Sequence, residues 1–128
     1  MRSIALKEFE KLPEDENLHE LDEGELIVMP PRMARHGLVQ AAAMATLAAG
    51  ARDGSGVVVG RCGFRLAPDV VLAPDVAFIV ESQRNEVQWN CYPEFGPDLA
   101  VEILSPDDNA GRLQRKVNRY LAAGTSIV

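Results

Sequence analysis

Residues 99–128 read LAVEIL (99–104), SPDDNA (105–110), GRLQRKVNRYLAAG (111–124) and TSIV (125–128), and the order of patterns in this stretch decides the fold. The almost unbroken apolar hexamer is expected to form a central strand covered on both faces. Ser105 to Asn109 supply helix-capping chemistry, with Asp107 as the simplest cap, and the following residues run as a helix to Gly124. Residues 125–128 start another strand.

Upstream, residues 57–59, 64–66, 70–72 and 76–80 are short β-prone runs punctuated by Gly and Pro. Residues 36–50, HGLVQAAAMATLAAG, are rich in the best helix former and stop at glycine. That helix is apolar on most sides, so it is expected to be buried. HELDEGELIVMPP (19–31) predicts a hairpin turning at Asp22-Glu23-Gly24, and SIALKEFEK (3–11) a short helix. Residues 81–98 are polar and without a period, and are read as a loop of functional length. The sum is an α/β (α+β) single domain, with residues 1–31 as an N-terminal helix and hairpin and 36–128 as the core.

The chain has 128 residues, 47% apolar and 25% charged, a size that buries roughly two-thirds of its unfolded surface. No run approaches the ~18 apolar residues of a membrane span. Charges occupy the N-terminus where a secretory signal would be apolar, so the expected location is the cytoplasm. Cys62, Cys91, His19 and His36 lack zinc-ligand spacing. The net charge of -6 arises within residues 1–25, where nine acidic groups face three basic ones. That segment is read as an aid to solubility. The neutral remainder leaves room for a local basic patch.

Glu102 is the anomaly, a carboxylate inside the most apolar strand. Its burial is costly without a cation or hydrogen bonds. It is a solvent-facing edge residue, a partner of an arginine, or a ligand of a hard divalent ion. Alternation puts it on the face of Ala100 and Leu104, and small Ala100 leaves room beside it. A metal requires a second oxygen ligand nearby. Asp98 is about 13 Å along the strand, and Asp69 reads as a turn residue. Asp75 opens the strand 76–80, so it is either a strand-entry turn residue after Pro74 or the partner that meets Glu102 from an adjacent strand. On the last helix Arg112, Arg115, Lys116 and Arg119 form a basic stripe, which is either a solvated face or a functional one. Lys116 lies about 40° from Tyr120, so it alone among these cations leans toward the sheet. Two carboxylates, a metal and a lysine make a kit for phosphodiester hydrolysis. Arg32, Arg35 and His36 stand where phosphate contacts at a helix start are expected, and Arg112 adds another.

HELDEGELIVMPP, His36 opening a helix, GFRL (63–66), APDVAFIV (73–80), PDLAVEILSP (97–106) and RKVNRYLAAG (115–124) resemble, in order, the blocks of the Uma-two family of endonucleases within the PD-(D/E)XK restriction-endonuclease-like superfamily. The resemblance covers about residues 3–128. It implies a restriction-endonuclease-like mixed β-sheet flanked by helices, Asp75 as the superfamily aspartate and Glu102 as its acidic partner. His36 and Glu20 are implied as additional site residues. Leu104 stands where the superfamily lysine usually sits, so that role would pass to Lys116, as the family arranges it. The family continues beyond residue 127 with a Trp-rich block and further strands. The resemblance therefore implies missing final strands and an open sheet edge that invites a homodimer.

The expected function is a Mg²⁺- or Mn²⁺-dependent endonuclease hydrolysing phosphodiester bonds of DNA, with Asp75 and Glu102 on the metal, Lys116 assisting, and His36, Arg35 and Arg112 toward phosphate. The alternatives are a catalytically inactive module binding nucleic acid or protein, and a hydrolase of other phosphate esters.

Overall fold

The computed structural model describes residues 3–128. The elements in order are α1 (Leu6–Phe9), β1 (Leu18–Asp22), β2 (Glu25–Met29), α2 (Ala34–Gly50), β3 (Gly56–Gly60), β4 (Phe64–Ala67), β5 (Val70–Leu72), β6 (Val76–Val80), α3 (Glu81–Arg84), β7 (Leu99–Val101) and α4 (Ala110–Ala122). The strands form two antiparallel sheets, ordered β2-β1-β5-β4 and β3-β6-β7. The fold is thus α+β, as expected, with its strands divided between two sheets.

The β1–β2 hairpin turns at Glu23 and Gly24, both with positive φ (50° and 84°). That is the backbone a two-residue turn needs to match the strand twist, and glycine adopts it without strain. The expected N-terminal helix contracts to four residues. Ser3 pairs as a bridge with Glu25 and the Ile4 N–H donates to the Gly24 carbonyl at 2.8 Å, so the first residues lie along the hairpin instead.

β5, an interior strand between β1 and β4, is the strand buried at every residue. The hexamer 99–104 was expected to hold that position, but only its first three residues are strand. Past Val101 the Ile103 N–H is taken by the Asp75 carboxylate at 2.7 Å, which ends the ladder, and Leu104 emerges 59% exposed. β7 pairs with β6 on one side and through Leu99 with Ile127, in parallel, on the other.

α2 also departs from expectation. His36 is its one buried residue, while Leu38, Val39 and most of its alanines are exposed. A helix resting on one side of a three-stranded sheet covers one stripe only, and alanine tolerates water at little cost. At that contact the Met44 thioether packs over Gly60, where a Cβ would come within 2.9 Å of Met44 Cε. The cap of α4 is Asn109, whose side chain accepts from the Arg112 N–H at 3.0 Å. Asp107 is exposed and Asp108 accepts from the Ser105 N–H instead. The segment 81–98 is mostly irregular, but α3 occupies its start. Its Tyr92 folds down onto Phe9, with ring centroids 6.0 Å apart, while Trp89 stays exposed.

The two sheets meet where the chain passes from β5 to β6 through buried Ala73 and Pro74. α4 spans this seam. Its Tyr120 is fully buried against Val70 and Leu72 of one sheet and Ala100 of the other. Burying an aromatic side chain this completely contributes roughly 1.5–3 kcal/mol, enough to fix which face of α4 looks inward.

Candidate active site

The antiparallel register of β6 and β7 sets Val76 against Val101. One residue outward on each strand, Asp75 and Glu102 therefore stand side by side at the end of the sheet. Asp75 Oδ2 accepts from Ile103 N at 2.7 Å and Asp75 Oδ1 lies 3.2 Å from His36 Nε2. His36 was expected to face phosphate. The structure places it behind Asp75, 4% exposed at its side chain, where it holds a carboxylate oxygen; among the described residues its Nδ1 has no hydrogen-bond partner. Gln40, one turn further along α2, donates to the Asp75 carbonyl at 2.8 Å.

Lys116 leans over the edge of α4 as its position beside Tyr120 requires. Its Nζ lies 2.8 Å from Glu102 Oε1 and 3.0 Å from Glu20 Oε2. Glu20 comes from the middle of β1, is buried, and also accepts from the Ala73 N–H at 2.7 Å. The Tyr120 hydroxyl donates to Glu102 Oε1 at 2.7 Å. Both donors meet on Oε1, which leaves Oε2 the less committed oxygen.

These groups open onto a cleft of about 70 Å³ lined by Glu20, Asp75, Glu102, Lys116, Arg61 and Arg112 among others. Arg35 is exposed and lies outside the lining, and Arg32 is engaged by Asp108 at 3.1 Å and by Ser105. Sequence reasoning missed two members. Tyr120 was read only as an apolar position, although a buried tyrosine one turn from a lysine must find an acceptor. Arg61 has no local sequence signal and becomes visible only in the folded chain.

Two carboxylates, Glu20 and Glu102, face one ammonium here, and the electrostatics follow. Burial pushes the Glu102 carboxyl up from 4.5 to about 7, against the pull of Lys116 and Tyr120 and with the help of Glu20. Burial disfavours the charge on Lys116, but Glu20 and Glu102 outweigh it and hold the amine above its usual value. Burial, then the Glu102 and Glu20 charges, keep the Tyr120 hydroxyl well above its ordinary range, so it remains a donor. Lys116 is therefore an ammonium throughout the neutral range and acts as a charge, not as a proton acceptor.

The Glu102 shift has a thermodynamic consequence. Between about pH 4.5 and 7 the folded chain holds a proton that the unfolded chain has released, so stability falls as pH rises through that window. At about 1.4 kcal/mol per unit, the loss is of order 3 kcal/mol. Urea unfolding in EDTA at pH 5 and pH 8 is expected to show this drop in the wild type, and Glu102→Gln is expected to remove it. Parallel profiles for the two proteins would show that Glu102 is not the titrating group.

The model of the Uma2 family, described as "putative restriction endonuclease", matches residues 6–127. The chain belongs to the Uma2 family. The structure of this Uma2 chain is similar to the crystal structure of a protein from Anabaena variabilis described as a "putative nuclease belonging to DUF820", with a TM-score of 0.83 and 26% identity. The match covers 95% of this chain and 70% of that one. No curated protein matches the sequence. No described helix of this Uma2 chain is long and apolar enough to cross a membrane.

Proposed function

We propose that this Uma2 chain is a divalent-metal-dependent nuclease that hydrolyses phosphodiester bonds of DNA in the cleft between its two sheets. One observation carries the reading. Asp75 and Glu102 stand together at the ends of paired strands, with the Lys116 ammonium 2.8 Å from Glu102. The cleft is lined from β1, β2, α4 and the segments that enter β6 and leave β7, which supports one functional unit.

The donor set suits a hard ion. Glu20, Asp75 and Glu102 offer only oxygen, and Lys116 neutralises one of their three charges. Among the described residues no three His, Cys, Asp or Glu side chains form a ready-made metal cage. Mg²⁺ needs none, because it is held through one or two carboxylates and otherwise by water and substrate phosphate. Asp75 and Glu102 would hold Mg²⁺ or Mn²⁺. When bound, the ion supplies Lewis acidity to the phosphoryl group and acidity to the attacking water.

The protein's own groups do the rest. His36 and the Ile103 N–H orient Asp75, Tyr120 orients Glu102, and Glu20 anchors Lys116 from β1 of the other sheet. Lys116 offers a fixed positive charge to the phosphate as negative charge develops on its oxygens. Arg112, exposed at the rim, contacts the backbone beside the scissile bond.

Calorimetric titration with Mn²⁺ beside plasmid nicking tests the reading. Metal heat and nicking that EDTA abolishes are expected. A chain that binds DNA without metal heat or nicking is instead an inactive binding module, and one that cleaves only small phosphate esters is another hydrolase.

A further inference from the structure

Five of the nine described arginines end on a carboxylate: Arg32 on Asp108, Arg65 on Glu94, Arg84 on Glu81, Arg115 on Asp22 and Glu25, and Arg119 on Asp22 and Glu23. Among the described residues Arg35, Arg52, Arg61 and Arg112 have no such partner. Only Arg61 and Arg112 of these four line the cleft. They reach it from different elements, Arg61 from the connection between β3 and β4, Arg112 from the first turn of α4.

The backbone at Arg61 is a second observation. Glu23 and Arg61 are the described non-glycine residues with positive φ, and Glu23 is accounted for by its hairpin turn. Arg61, at φ 49°, joins strands of two different sheets and closes no hairpin. Glycine would hold that conformation with less strain, and such strain collects at functional positions. The Arg61 N–H points to the carbonyl of Asp75, 3.4 Å away, so the strained residue stands next to the carboxylate pair.

An exposed guanidinium with no protein carboxylate has its charge free for an incoming anion, and its planar fork matches phosphate. We propose that Arg61, with Arg112, clamps a backbone phosphate of duplex DNA at the mouth of the cleft. The proposal rests on the nuclease reading of the same site and adds a substrate-binding residue to it.

Anisotropy of a labelled duplex in Ca²⁺, from 50 to 200 mM salt, tests it on the wild type, Arg61→Gly, Arg61→Lys and Arg52→Ala. Arg61→Gly is expected to bind about tenfold more weakly and to lower the salt slope by about 1. Its melting temperature stays at or above the wild-type value, because the strain is relieved. Arg61→Lys keeps the slope and loses part of the affinity. Arg52→Ala, in the turn beyond α2 and outside the cleft lining, binds as the wild type does. Equal losses at Arg61 and Arg52, or an Arg61→Gly that binds normally, would overturn the clamp and leave the nuclease reading standing. A wild type that binds no DNA overturns both.

Discussion

Replacing Lys116 by methionine is expected to lower plasmid nicking at least about a hundredfold, the cost of removing one preorganised donor from a developing oxyanion. Methionine keeps most of the apolar stem, so the change removes charge more than packing. Stability falls as well. The ammonium lies within 3.0 Å of Glu20 and 2.8 Å of Glu102, and its loss leaves two carboxylates facing each other in a buried place. Removing one partner of such a pair costs about 3–5 kcal/mol. The penalty is largest at pH 8 and shrinks toward pH 5, where Glu102 carries its proton. Mn²⁺ is expected to restore part of the stability but not the nicking, since a dication replaces the missing charge without placing a donor on the phosphate. Urea unfolding with and without Mn²⁺, beside the nicking assay, separates the two effects. Nicking within threefold of wild type would remove Lys116 from the chemistry.

Asp75→Asn is expected to reduce Mn²⁺ affinity by at least about a hundredfold, since even outer-shell partners of a metal ligand are worth 10–100-fold. The amide keeps the shape of the side chain, and its oxygen can still accept from Ile103 N, so the fold should survive. Asp75→Ala goes further. It strands the part-buried Ile103 N–H and removes the partner of buried His36. An unmade buried hydrogen bond costs about 1–3 kcal/mol, so alanine should unfold at lower urea than asparagine while binding metal no better. Calorimetry on both variants checks the first effect and denaturation the second. Unchanged metal heat in Asp75→Asn would mean that the ion sits elsewhere.

Local patterning carried some parts of this architecture and not others. Glu23-Gly24 demands left-handed backbone, so the hairpin was legible. The helical angle between Lys116 and Tyr120 placed the lysine on the inner edge of α4, and the structure finds it there against Glu102. Composition misled at α2, because an alanine-rich helix looks apolar whether or not anything covers it. It misled again at residues 102–104, where a hydrogen bond to Asp75 diverts the chain out of the strand.

By itself the sequence determined the α+β class, the β1–β2 turn, the strand opened by Asp75 and the inward lean of Lys116. Each depends on neighbours within a few residues, where steric preference and side-chain period act. The tertiary structure alone decided that Glu20 holds both Lys116 and the Ala73 N–H, that His36 holds Asp75, that Tyr120 shares an oxygen of Glu102 with Lys116, and that Arg61 stands strained at the rim. Glu20 meets Ala73 across 53 residues and His36 lies behind a strand it precedes by 40. Contacts of that separation follow from how two sheets close on one seam, and the energy that selects the closure is shared by the whole core.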